Sequence, residues 1–322
     1  MKTQTYTKIN TLYKRFTNLS NVDLPNKDWK IFQNKIMLGQ FSDKAIEYIA
    51  SLKFDCFSKI DGTNTKIVYY PSTGKCIIGG KTDNADIIGS GQKNYMEPII
   101  ERIKPELAKL FPSSTAKFSP VLSENNLPVY YPIDVPHQNI LSETSSFQNL
   151  SEHPIDRPTA EGIWAVYLEE VPVYIYGEFY GAKIGGAGNY DKNPRFEVFD
   201  ICDRGWWVPI DMLQDYCDKL GLVRVPYVGQ MTIAEAEDMV KKGFKTKVNN
   251  PANPNYIEEG LVCRPVFPIK DERGKRIIVK IKHRDYRDLA VAIEKVGEDE
   301  YKKFYAWYLS IEKTLNSPEY SK

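Results

Sequence analysis

Ser58-Lys59-Ile60-Asp61-Gly62-Thr63-Asn64 closes an apolar run that starts at Phe54 and leads into a second one, Thr65–Tyr70. Asp61-Gly62 is good turn chemistry, so the stretch reads as a strand Phe54–Ile60, a tight turn and a second strand. Period-two alternation puts Lys59 and Asp61 on one face and Ile60 on the other. A nucleophilic lysine must be held and aimed, and the end of a strand does the holding. Outward from this centre, Lys75–Gly79 forms a third strand after the turn residues Pro71-Ser72-Thr73-Gly74.

Further strands are expected at Ile163–Leu168, Val173–Gly177, Phe196–Ile201, Gly260–Arg264 and Arg276–Lys282. Residues 1–50 read as a helix or two. Ile99, Ile100, Ile103, Leu107 and Leu110 are at helical spacing, with Pro105 expected to kink or split that helix. Helices are also expected over Ile210–Leu220, ending at Gly221, and over Ile233–Lys242. The second has Thr232 and Glu235 in capping-box spacing and Gly243 beyond its end. From Tyr286 the tail is helical in two pieces broken near Gly297. Its aromatic residues Tyr301, Phe304, Tyr305 and Tyr308 are expected to pack between helices rather than stack on bases. Residues 112–160 are rich in Ser, Pro, Asn and Gln and read as a long surface insertion.

The expected fold is α+β, two mainly antiparallel sheets flanked by helices. Residues 1–284 would form the main domain and 285–322 a small helical C-terminal module. With 43 Lys+Arg against 42 Asp+Glu, net charge gives no argument for nucleic acid, so any such site must come from local clustering. Five scattered cysteines without a CxxC pair argue against both a disulfide framework and a zinc knuckle. With no apolar run long enough to cross a membrane and no signal-type opening, the expected protein is cytoplasmic, away from membranes, and a monomer.

Four further strings carry chemistry: Tyr176-Gly177-Glu178-Phe179-Tyr180-Gly181, Phe196-Glu197-Val198-Phe199-Asp200-Ile201, Glu259-Gly260-Leu261-Val262 and Val279-Lys280-Ile281-Lys282. In the last, alternation sends Lys280 and Lys282 to one face while Val279 and Ile281 pack inward. Two cations side by side repel unless something anionic sits between them, and a phosphate fits that need. Taken singly each string is ordinary; the order of all five is not. Lys270, Arg273, Lys275, Arg276, Arg284 and Arg287 make residues 270–287 basic, a path for RNA phosphates. For Lys270, Arg273 and Lys275 a solvated hairpin turn is the simpler account.

That order resembles the covalent nucleotidyltransferase superfamily of ATP-dependent ligases and capping enzymes. Within it the chain is most similar to the phage and bacterial ATP-dependent RNA ligase family. KIDGTN, GGKTDNA at 79–85, YGEFYG, GGAGNY at 185–190, FEVFDI, EGLVCRP and VKIKHRDY carry the resemblance. It implies that Lys59 attacks the α-phosphorus of ATP and holds AMP. It also implies that Glu178 bonds the ribose, Phe199 stacks on adenine, and Glu259 places a divalent metal, Mg²⁺ or Mn²⁺. Lys280 and Lys282 would neutralise the phosphates. Ser58, Ile60, Asn64 and Lys81 would line the nucleotide site. The partners implied are RNA ends, a 5′-phosphate and a 3′-hydroxyl.

Two departures stand out. Position 81 is lysine where the family usually has arginine, so a bidentate grip on phosphate is replaced by a point charge. The stretch after Lys282 is too short for the OB domain of DNA ligases and capping enzymes. Those two enzymes, and an RNA-end binder that lost the chemistry, are the competing readings. The filled charged positions argue against the last.

Overall fold

A computed structural model of the chain describes residues 6, 9–80, 90–113, 118–122, 128–132, 172–181, 184 and 187–315. The first half carries strands β1 (Asn10–Thr11), β2 (Tyr13–Arg15) and β3 (Ile36–Phe41), helix α1 (Lys44–Ile49), then β4 (Phe54–Ser58), β5 (Thr63–Tyr70) and β6 (Lys75–Gly79). Helix α2 (Ser90–Leu110) follows, then β7 (Phe118–Leu122), β8 (Pro128–Pro132), β9 (Val173–Tyr180), β10 (Arg195–Asp203) and β11 (Trp206–Trp207). Next come α3 (Leu213–Leu220), β12 (Val223–Arg224), β13 (Tyr227–Met231) and α4 (Ile233–Lys242). The chain ends through β14 (Gly260–Pro265), β15 (Val279–Lys282), α5 (His283–Val296) and α6 (Glu298–Leu315). The class is α+β.

The chain divides into two units. The first comprises Met1–Gln4, Thr65–Gly177 and Val198–Val223; the second comprises Thr5–Asn64, Glu178–Glu197 and Arg224–Lys322. In the first, α2 packs against β6 and α3. Met96, Ile100, Ile103 and Leu107 make its buried face, and Phe111 meets Tyr216 with ring centroids 5.8 Å apart. Of the kink or split expected at Pro105, the split is absent: the helix is continuous from Ser90 to Leu110. Its apolar stripe continues on both sides of the proline, so burial offsets the lost hydrogen bond, which costs about 3 kcal/mol in an exposed helix. One sheet follows the order β11-β10-β9-β5-β6, with β12 beside β10. β7 and β8 pair as an antiparallel hairpin within the 112–160 stretch that sequence reading left without structure. The expected strand at 163–168 lies outside the described residues.

The second unit is built on a five-stranded sheet ordered β1-β15-β14-β4-β13. β1 runs parallel to β15, while β15–β14, β14–β4 and β4–β13 are antiparallel. In β4 all five residues are buried, as suits an inner strand covered on both faces. Cys263 lies directly opposite Cys56, and Leu261 opposite Ser58. On one side of the sheet α4 covers Phe54, Cys56, Leu261 and Ile281, which join a single apolar core. The predicted capping box of α4 is present, with Thr232 and Glu235 bonded reciprocally and Gly243 at the C-terminus.

The N-terminal stretch differs from the helices expected over 1–50. β2 pairs antiparallel with β3, and 3₁₀ turns at Leu19–Asn21 and Lys27–Phe32 bring Trp29 and Phe32 inward. The aromatic residues there serve long-range packing, which overrides a local helical preference. Phe16 meets the Phe304 ring at 4.7 Å and Tyr308 at 4.9 Å, and Phe32 stacks on Phe304 at 4.6 Å. Phe304 and Tyr308 are therefore core residues, as the sequence reading preferred. The expected strand 276–282 is shorter. Ile277 N–H bonds back to Ile269, and Asp271 caps a turn by accepting from the N–H groups of Arg273 and Lys275. Lys270, Arg273 and Lys275 are exposed on that hairpin.

Candidate active site

β4 ends at Ser58, two residues short of the sequence estimate, yet Lys59 still pairs with the sheet. Its N–H donates to the Gly260 carbonyl at 2.9 Å. This holds the lysine at the rim of the sheet by its backbone. Ser58 and Ile60 on either side are buried, while Asp61 is exposed. The chain then turns at Gly62, where a β-carbon would run into the Phe179 carbonyl and the Tyr180 side chain. The glycine of this motif is thus required by a close approach to β9.

The Lys59 amine reaches one oxygen of Glu259 at 2.5 Å, and the Lys282 amine reaches the other at 2.7 Å. One carboxylate is shared by two cations, all three side chains retaining a little exposure (19 %, 13 % and 19 %). β15 has the predicted alternation: Val279 and Ile281 are buried, Lys280 and Lys282 half-buried on the other face. The pairing Gly260↔Lys282 sets Glu259 beside the end of β15. Gly260 sits at φ +156, and a β-carbon there would land on the Ile281 carbonyl oxygen. No other residue lets β14 and β15 close up at this point.

Glu178 joins the same cluster from β9. Burial pushes its carboxyl up to about 7; Glu259 and Asp61 add to the rise, while Lys59 and an N–H bond from Gly62 oppose it. Near neutral pH it can therefore both donate and accept a hydrogen bond. Asn64, on β5, has a buried side-chain oxygen with no hydrogen-bond partner among the described residues. A buried acceptor of this kind calls for a polar partner from outside the chain.

Of the residues singled out from sequence, Lys59, Glu178, Glu259 and Lys282 come together, and Lys280 shares the face of Lys282. Phe199 belongs to the first unit and is half-exposed on β10. Lys81 lies outside the described residues. Two residues were missed. Tyr190, the last residue of the glycine-rich string, and Glu258 are buried and hydrogen-bonded to one another at 2.6 Å. The signal was in the doubled acid at Glu258-Glu259: an extended chain must turn one of two neighbouring carboxylates inward.

Several solved structures resemble this chain in part. A mutant RNA ligase of Naegleria gruberi with ATP and Mn is 14% identical with a TM-score of 0.40, the match covering 76% of this chain and 54% of that one. The same ligase with PPi gives 15% identity and a TM-score of 0.38, covering 79% and 54%. Another mutant, with AMP and Mn, gives 13% and 0.41, covering 87% and 62%. The chain thus spans little more than half the length of the first of these ligases. None of the curated proteins compared with the chain matches it. The family described as RNA ligase matches residues 54–282, a span that opens with the strand before Lys59 and closes on Lys282. On that match the chain belongs to the RNA ligase family.

Proposed function

We propose that this chain is an ATP-dependent RNA ligase whose Lys59 forms a covalent bond to AMP. The observation that supports this best is the Glu259 carboxylate shared by the Lys59 and Lys282 amines. In the free protein the carboxylate holds both cations in place. A lysine attacks as the neutral amine, so the pair must open before chemistry, and Lys59 must lose its proton. Phosphoryl transfer needs alignment and charge neutralisation more than acid–base chemistry, which suits a cluster of lysines around one carboxylate.

Among the described residues no group of three His, Cys, Asp or Glu side chains is arranged to hold a metal. That fits Mg²⁺ or Mn²⁺ held by Glu259 alone, with water and phosphate oxygens filling the other positions, as Mg²⁺ commonly binds. Such an ion supplies positive charge against the phosphate oxygens. Taking up Glu259 in that role would also release Lys59 from its partner. Lys280 and Lys282 neutralise the α-phosphate and the leaving pyrophosphate. Glu178 bonds the ribose hydroxyls, Phe199 stacks on adenine, and Ser58, Ile60, Asn64 and Lys81 line the nucleotide.

Three steps follow. Lys59 Nζ displaces pyrophosphate from ATP and becomes lysyl-AMP. An RNA 5′-phosphate oxygen then takes AMP from the lysine. Finally an RNA 3′-hydroxyl attacks that activated phosphate and expels AMP, sealing the ends. Residues 1–284 are read as the adenylyltransferase domain and 285–322 as a helical module, cytoplasmic in setting and acting in RNA repair.

The test is incubation with Mg²⁺ and ATP labelled at the α-phosphate, beside Lys59→Ala, followed by denaturation. Label retained by the native sequence and absent from the variant supports the covalent step. RNA and DNA ends offered as acceptors then separate an RNA ligase from a DNA ligase. No label on folded protein in either metal leaves an RNA-end binder.

A further inference from the structure

Glu258 takes no part in those steps, yet it is only 1 % exposed and lies next to the central carboxylate of the site. Its Oε1 accepts from the Tyr190 hydroxyl at 2.6 Å. Its Oε2 accepts from the Thr246 hydroxyl at 3.1 Å and, more weakly, from the Lys247 N–H at 3.4 Å. Its own N–H donates to the Phe244 carbonyl at 2.8 Å. Tyr190 is wholly buried, and its backbone carbonyl accepts from the Ala252 N–H at 2.9 Å. The clamp therefore joins three stretches of chain: 189–190, 244–247 and 252–258.

The same clamp touches Glu259 directly. The Glu259 N–H points at both the Tyr190 hydroxyl (3.4 Å) and Glu258 Oε1 (3.3 Å), while the Glu259 carbonyl accepts from the His283 N–H at 2.9 Å. The peptide of Glu259 is thus located on both sides. From that fixed peptide its side chain extends to Lys59 and Lys282.

We propose that Glu258, clamped by Tyr190 and Thr246, is a positioning residue that fixes where the Glu259 carboxylate stands between Lys59 and Lys282. The consequence for Lys59 rests on the reading of that lysine as the nucleophile; the geometric claim does not. A buried carboxylate whose hydrogen-bond partners are all in place also gives the segment a unique conformation.

Three variants separate positioning from mere packing. Tyr190→Phe removes one hydroxyl and keeps the shape. Glu258→Gln keeps the shape and leaves one good acceptor. Glu259→Gln supplies the reference state in which Lys59 has lost its charged partner. The full chain is treated with an amine-acylating reagent at one fixed pH, and modification of Lys59 is quantified by mass spectrometry against the exposed Lys75. Loss of the Glu259 contact uncovers the Lys59 amine to the reagent and should raise its modification by roughly tenfold. Tyr190→Phe and Glu258→Gln are expected to move Lys59 toward the Glu259→Gln level with Lys75 unchanged. Titration of the nucleotide-free protein with Mn²⁺, read by electron paramagnetic resonance, should show affinity falling by roughly tenfold in the same variants.

Unchanged Lys59 reactivity and unchanged Mn²⁺ affinity in folded Tyr190→Phe overturn the proposal, even should Glu258→Gln not fold. Neither readout requires adenylylation. Absence of lysyl-AMP in the native protein would sink the ligase reading while leaving this geometry to be judged on its own.

Discussion

Lys59 and Lys282 are bound to opposite oxygens of the same side chain, Glu259, at 2.5 and 2.7 Å. Neither lysine can change position or charge without the other registering it. The folded chain thus sets a carboxylate between two cations.

Removing that anion gives the first prediction. Glu259→Gln should leave the fold intact, since its side chain lies at a partly exposed rim. It should lower the rate of Lys59 labelling by labelled ATP by at least about a hundredfold, in line with loss of a group that orders charge around a transferring phosphate. Single-turnover labelling at saturating ATP checks this. A rate within threefold of the native protein would remove Glu259 from the chemistry.

Backbone geometry supplies the second. Gly260→Ala places a methyl group on the Ile281 carbonyl, at a φ that L-residues rarely adopt. Separation of β14 from β15 should cost roughly 2–4 kcal/mol, the range for strain at a special backbone position. Urea unfolding measures it. Gly274→Ala is the control, because a β-carbon there meets nothing within 4 Å although its φ is +73.

Glu197 gives the third, a pH dependence. Only 2 % exposed, it accepts from the Tyr180 hydroxyl at 2.6 Å through one oxygen, and the other oxygen is buried with no hydrogen-bond partner among the described residues. Burial pushes its carboxyl up to about 7, against the pull of Tyr180 and Arg195. A carboxyl raised on folding contributes stability that is fully present below its unfolded value and lost as pH rises through 7. Between its unfolded value and about 7 the folded carboxyl keeps a proton that the unfolded one has lost, so folding takes up a proton and stability falls with pH across that window. Glu197→Gln, which stays neutral, should match the native protein near pH 4.5 and exceed it at pH 8, by a few degrees in Tm. Parallel melting curves at the two pH values would expose a failure.

The fourth concerns the C-terminal helix. Phe304 is wholly buried among Phe16, Trp29 and Phe32. Phe304→Ala should cost about 3–5 kcal/mol by chemical unfolding. A cost below 1 kcal/mol would mean that α6 is not part of this core.

What the sequence disclosed depended on periodicity. Val279-Lys280-Ile281-Lys282 alternates cleanly because one side of β15 meets the core and the other does not. The capping box at Thr232 and the stop at Gly243 were legible because they depend on local hydrogen bonds. β2 and β3 were not, because their pairing joins Tyr13 to Phe41 across a stretch with no shared period. Pro105 misled because the apolar face that outweighs it is a tertiary feature. Within the site, Lys59 announced itself. Glu258 did not: nothing in its neighbours says which of two adjacent acids will be covered.

The bond between Lys59 and Glu259 spans 200 positions of chain. During synthesis β4 leaves the ribosome well before β14 and β15, its partners in the sheet. No shortened or nascent chain that stops before Lys282 can assemble the three-residue cluster. A chain cut short of Lys282 therefore lacks the shared carboxylate contact, however well β4 itself has been made.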